Sequence, residues 1–82
     1  MSEYESVITS IISSVSGAEE SSIAEEAVLR EIGINSIMFI EIIVKLEQKL
    51  EFEFDNDDLA IEHIKTVRDL FKLVEKNITR IR

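Results

Sequence analysis

The 82-residue chain contains no cysteine, no proline and no tryptophan, and it has only two glycines and one histidine. Each absence closes off a class of explanation. Without cysteine there is no disulfide framework and no thiolate metal site, and a disulfide-free chain this short suits the cytoplasm. His63 has no second histidine or cysteine with which to share a metal. Catalysis by it would need a nucleophile and an orienting group placed by the fold, so His63 reads as a surface or loop residue and no catalytic residue is assigned. The longest uninterrupted apolar run is Ile37 to Ile40, far short of the roughly 20 residues a membrane span needs. The first residues, Met1-Ser2-Glu3-Tyr4-Glu5, carry acid where a signal peptide carries base. A soluble, unprocessed protein is expected.

Positive charge is also scarce. Seventeen acids against nine bases give −8, and residues 1–40 hold seven acids with Arg30 as their one base. This balance repels phosphate backbones and anionic lipid, so nucleic acid and membranes are excluded as expected partners and a basic protein surface is favoured. Eighty-two residues make one domain, 1–82. A domain this small buries only about 60% of its unfolded surface, and an apolar content of 45% suffices for one compact core. A monomer is expected.

With so few breakers the chain reads as all-α. Tyr4, Val7, Ile8, Ile11, Ile12 and Val15 recur at helical spacing, predicting a helix over about 3–15 that stops at Gly17. A polar stretch over 16–26 follows, and Ala27-Val28-Leu29 can tie this long first loop back to the core. After Ser36 a long helix runs to about Leu50, with Phe39, Ile43, Leu46 and Leu50 in one narrow sector. Phe52 and Phe54 alternate with acids as an extended exit, and Asn56, Asp57 and Asp58 offer caps for a brief helix carrying Leu59 and Ile61. Thr66 reads as the N-cap of a last helix, with Asp69 completing a capping box and Val67, Leu70, Phe71, Val74 and Ile78 as the buried stripe. Three longer helices, one short helix and a long first loop make a four-helix bundle. The run Asp55-Asn56-Asp57-Asp58 has the look of a calcium loop, but the glycine and glutamate such a loop needs fall on Ala60 and Thr66. Helix capping explains it better, and no metal is expected.

The informative stretch is Gly33-Ile34-Asn35-Ser36-Ile37. Gly33 permits a turn closed to other residues. Asn35 or Ser36 can then cap the long helix, which leaves the serine hydroxyl beside free backbone N–H groups. A phosphodiester on that oxygen would sit at the positive end of a helix dipole, worth about 0.3–1 kcal/mol if exposed. Taken alone, this is also how an ordinary capping serine looks.

The run from Leu29 through Ile37, the helix ending Leu46-Glu47, then Phe54-Asp55, Leu59 and Thr66-Val67 with Asp69-Leu70 resembles the acyl and peptidyl carrier proteins. The likeness spans about residues 4–78 and rests on the spacing between the serine motif and the Thr-Val element. It implies a non-catalytic carrier that tethers acyl or aminoacyl groups as thioesters on a phosphopantetheine arm at Ser36. It further implies coenzyme A as donor of the arm and a phosphopantetheinyl transferase to install it. A loading enzyme for the acyl or aminoacyl group and a downstream synthase or transferase complete the expected partners. Fatty-acid carriers usually have aspartate before the serine and an acid-rich second helix. Here Asn35 precedes it, and Lys45 and Lys49 balance Glu41 and Glu47. These departures favour a free-standing carrier of specialised polyketide, nonribosomal peptide or related acyl metabolism over a fatty-acid-synthase carrier. The rival of a different class is an unmodified helical adaptor. Ile37, Glu41, Val44 and Gln48 form a stripe turned away from the core sector, and it is the expected partner-docking face.

Overall fold

The computed structural model describes residues 3–54 and 63–81, with side chains through Ile78. Its elements are α1 (Glu3–Ser16), a 3-10 turn at Glu20–Ser22, a second at Leu29–Ile32, α2 (Ser36–Leu50) and α3 (Val67–Ile81). The fold is all-α, as the sequence predicts. The short helix expected around Leu59 and Ile61, with its caps, lies outside the described residues.

The centre of the packing is α1, which lies against both α2 and α3. Ile8 and Ile12 are fully buried on it, with Val7, Ile11 and Val15 packed alongside. Gly17 ends the helix at φ 82, in the left-handed region that favours glycine, and its N–H donates to the Ser13 carbonyl at 2.8 Å. The facing surfaces are Phe39, Ile42, Ile43 and Leu46 of α2 and Val67, Leu70, Phe71, Leu73 and Val74 of α3. Phe52 and Phe54 close the exit from α2 with both rings buried, edge to face at a centroid distance of 4.6 Å. The two rings share the core, the arrangement expected of residues two apart on an extended exit. Asn77 is the buried polar residue of α3, and its side-chain amide donates to the Leu73 carbonyl at 2.9 Å.

The first loop is held to the start of α3 by backbone. Leu29 N–H donates to the Lys65 carbonyl at 2.8 Å, Val67 N–H to Ala27 at 3.0 Å, and Arg68 N–H to Glu25 at 2.9 Å. Val28 and Thr66 thereby form an antiparallel bridge, so the Ala27-Val28-Leu29 anchor works as the sequence suggests. Arg68 adds an exposed fork to Glu25 at 3.3 Å and Glu26 at 3.1 Å. The Glu25 hydrogen bond, then its charge, raises the Arg68 pKa. Exposed pairs of this kind contribute little. The backbone strap fixes the loop, and with it the approach to α2.

Candidate functional site at the start of α2

The turn before α2 is made by Gly33, at φ 93. A Cβ there would meet nothing within 4 Å, so glycine is favoured by backbone conformation and not by space. Ile34 N–H donates to the Leu29 carbonyl at 3.0 Å and its side chain is buried, which plugs the turn into the core. Asn35 follows in extended backbone, and its Oδ1 accepts the Met38 N–H at 2.8 Å. The N-cap is therefore Asn35, one of the two candidates the sequence left open. Ser36 is the first residue of the helix, exposed, and its hydroxyl makes no hydrogen bond among the described residues.

The electrostatic setting of this turn is unusual for so acidic a chain. The first turns of α1 and α3 carry acid, Glu3 and Glu5 in one and Asp69 in the other, whereas that of α2 carries none. Acidic side chains at helix starts offset the positive end of the helix dipole. At α2 no acid on the first turn offsets that end, beside an unengaged hydroxyl.

Beside Ser36 opens a cleft of about 790 Å³ between the second 3-10 turn, the start of α2 and the strand-like segment before α3. Leu29, Ile34, Phe39 and Ile64, all buried, form its floor. Arg30, Glu31, Asn35, Ser36 and Lys65, all exposed, form its rim. Neither the cleft nor the convergence of Arg30 and Lys65 was legible in the sequence, because the two are brought together by the loop strap across 35 positions of chain.

Along α2 the predicted stripe Ile37, Glu41, Val44 and Gln48 is exposed throughout. Ile37 is 78% and Val44 44% accessible, and Ile40 joins them at 61%. The sequence signal for Ile40 was its spacing, three residues after Ile37 and four before Val44. His63 lies exposed on the approach to α3. Among the described residues no cluster of histidine, cysteine, aspartate or glutamate is arranged to hold a metal, and no helix is long and apolar enough to cross a membrane.

Comparison with known proteins gives a consistent pattern. The family described as "Phosphopantetheine attachment site" matches residues 6–74. The chain is 34% identical over 77 residues to the acyl carrier protein of Thermotoga maritima, covering 93% of both proteins. It is 35% identical over 66 residues to an acyl carrier protein homolog of Mycoplasmopsis pulmonis, covering 80% of this chain and 88% of that one. It is also 30% identical over 77 residues to the non-reducing polyketide synthase tazA of Aspergillus terreus, covering 94% of this chain but spanning 3% of that protein's length. In shape it matches a chain from the crystal structure of Bradyrhizobium japonicum glycine:[carrier protein] ligase complexed with cognate carrier protein and a glycyl adenylate analogue. That match has a TM-score of 0.79 and 16% identity, and it covers 92% of this chain and 99% of the other.

Proposed function

The chain belongs to the family of phosphopantetheine attachment domains, and we propose that it carries acyl or aminoacyl groups as thioesters on an arm esterified to Ser36 and presents them to partner enzymes. Phosphopantetheine, covalently attached, is the family's cofactor, and it supplies the thiol on which cargo is held. The chain's own residues supply the rest. Gly33 and Ile34 aim the backbone, Asn35 takes over the cap, and the Ser36 hydroxyl is left free for substitution.

The observation that carries this reading is the first turn of α2. An exposed, unbonded hydroxyl stands there at the only α-helix start among the described residues without an acid. A phosphodiester on Ser36 meets a favourable helix end and no carboxylate on its own turn. A serine serving merely as a cap would have its oxygen on a backbone N–H, a role Asn35 already fills. The enzymes implied are a phosphopantetheinyl transferase, a loading enzyme and a downstream synthase or transferase, with Ile37, Glu41, Val44 and Gln48 as the face they touch. Ile40 extends that face. Carrier contacts must be transient, and a small apolar patch suits modest affinity.

Asn35 before the serine, and lysines offsetting the acids of α2, support service as a free-standing carrier in specialised polyketide, nonribosomal peptide or related acyl metabolism. The likeness to acyl carrier proteins along nearly their full length favours a second reading, a carrier of fatty-acid synthesis. The group recovered from the native thioester separates the two. Coexpression with a broad-specificity transferase followed by intact mass tests the common premise. One arm per chain is expected on the wild type and none on Ser36→Ala. A chain that never gains mass is an adaptor.

A further inference from the structure

We propose that the cleft beside Ser36 is a seat for an oxyanion delivered on that serine, held between Arg30 and Lys65 at the rim. The inference rests on Ser36 as the point of attachment. In a chain of −8 whose first forty residues contain one base, that base, Arg30, lies on the same cleft as Ser36. Lys65 reaches the cleft from the segment before α3. The backbone holds the two together: the Leu29 N–H, next to Arg30, donates to the Lys65 carbonyl, and the Lys65 N–H is fixed in turn on Asp69 Oδ2 at 3.0 Å.

Neither cation is committed elsewhere among the described residues. Arg68 engages Glu25 and Glu26, but Arg30 and Lys65 form no ion pair among the described residues. Glu31 also stands on the rim, so the rim bears two cations against one carboxylate. The buried apolar floor of Leu29, Ile34, Phe39 and Ile64 lowers the local polarizability, which strengthens an ionic contact made at its edge. Arginine offers a planar fork and lysine a point charge, a pairing that suits phosphate or carboxylate oxygens. Two groups with this chemistry arrive through Ser36: the phosphodiester of the arm, and the far carboxylate of a dicarboxylic acyl cargo.

The experiment compares four forms of the 15N-labelled protein by NMR: unmodified, arm-bearing, butyryl-loaded and succinyl-loaded. Mass analysis first establishes the arm, so a failure of attachment is read separately from a failure of the seat. The Arg30 Nε–H and Lys65 amide signals are followed at low salt and at 1 M salt, where the screening length falls to about 3 Å. A salt-reversible shift on adding the arm alone identifies the phosphodiester. A salt-reversible shift that appears with succinyl and not with butyryl identifies the cargo carboxylate. In the paired variant Arg30→Gln, Lys65→Gln, the salt-dependent shifts of the Ile34 and Asn35 amides that accompany either event are lost. The proposal is overturned if no form moves these signals. It is equally overturned if butyryl and succinyl move them alike with no effect of salt and none from the arm, or if they move only when a partner enzyme is added, which would make the two cations a protein contact.

Discussion

The starts of α2 and α3 each have a polar residue placed to cap the helix, Asn35 and Thr66, and end in opposite states. At α3 every local device is closed. Thr66 Oγ1 accepts the Asp69 N–H at 3.2 Å, while Asp69 Oδ2 accepts the N–H groups of Thr66 at 3.1 Å and Lys65 at 3.0 Å. An acid sits on the first turn, and the first loop is strapped alongside. At α2 one side chain, Asn35, makes one cap bond, no acid follows, and Ser36 stands exposed. A helix start that serves stability satisfies its own donors and its own dipole. One that serves chemistry, the role proposed for α2, would leave both partly open at a modest cost in stability.

The largest effect that distinguishes the two is all-or-none. Ser36→Ala should abolish acceptance of the arm while its unfolding free energy stays within about 0.5 kcal/mol of wild type, because the cap belongs to Asn35. Loss of folding in this variant, seen by circular dichroism, would mean that Ser36 has a structural duty the open cap does not suggest. Asp69→Ala should do the reverse. It removes the acceptor of two backbone N–H groups and should cost about 1–2 kcal/mol in denaturant melts, yet the folded fraction should take the arm at the wild-type rate.

A third prediction closes α2 artificially. Ile37→Glu places an acid on its first turn, which should stabilise the helix by about 0.3–1 kcal/mol while slowing arm transfer relative to Ile37→Gln. Equal transfer rates for the two variants would remove the significance of the acid-free turn. Val44→Asp, on the exposed stripe, should slow reactions with the transferase and a cognate partner with little change in melting temperature. If it melts the domain, Val44 belongs to the core.

The smallest effect concerns pH. The Lys65 backbone N–H is the main cause holding the Asp69 carboxyl below its usual value; partial burial opposes it, and Thr66 and the Lys72 charge assist. The folded protein therefore binds this proton more weakly than the unfolded chain. The stabilisation is complete above the ordinary aspartate value of about 3.9 and is lost as pH falls through the lower folded value. The gap in melting temperature between wild type and Asp69→Asn should narrow progressively below about pH 4. A gap that widens there would contradict the assignment.

The contrast between the two helix starts also shows what sequence alone could and could not reveal. The capping box and the stop at Gly17 were legible because each depends on residues close together in the chain. The Leu29 anchor was legible only as an apolar run in a polar stretch, and its distant partner, the Lys65 carbonyl, was not. The sides of α2 were not. With the core centre opposite Glu41, Ile40 and Ile42 each lie about 80° from it at 100° per residue. Yet Ile42 is wholly buried and Ile40 is 61% exposed. Periodicity is symmetric about the core direction, and only the placement of neighbouring helices decides which flank is covered. Leu73, buried on α3, escaped the predicted stripe for the same reason. The serine motif marked Ser36, but whether Asn35 or Ser36 made the cap depended on backbone geometry.

Trypsin provides the most direct test of the central claim, because of where the bases fall. Cleavage after Arg30 and Lys45 releases residues 31–45, whose one hydroxyl is that of Ser36, while the other eight serines all lie in residues 1–30. After incubation with coenzyme A and a transferase, the account predicts that the added mass appears on the 31–45 peptide alone and fragments to Ser36. An arm found on residues 1–30, or labelling that persists in Ser36→Ala, would contradict it.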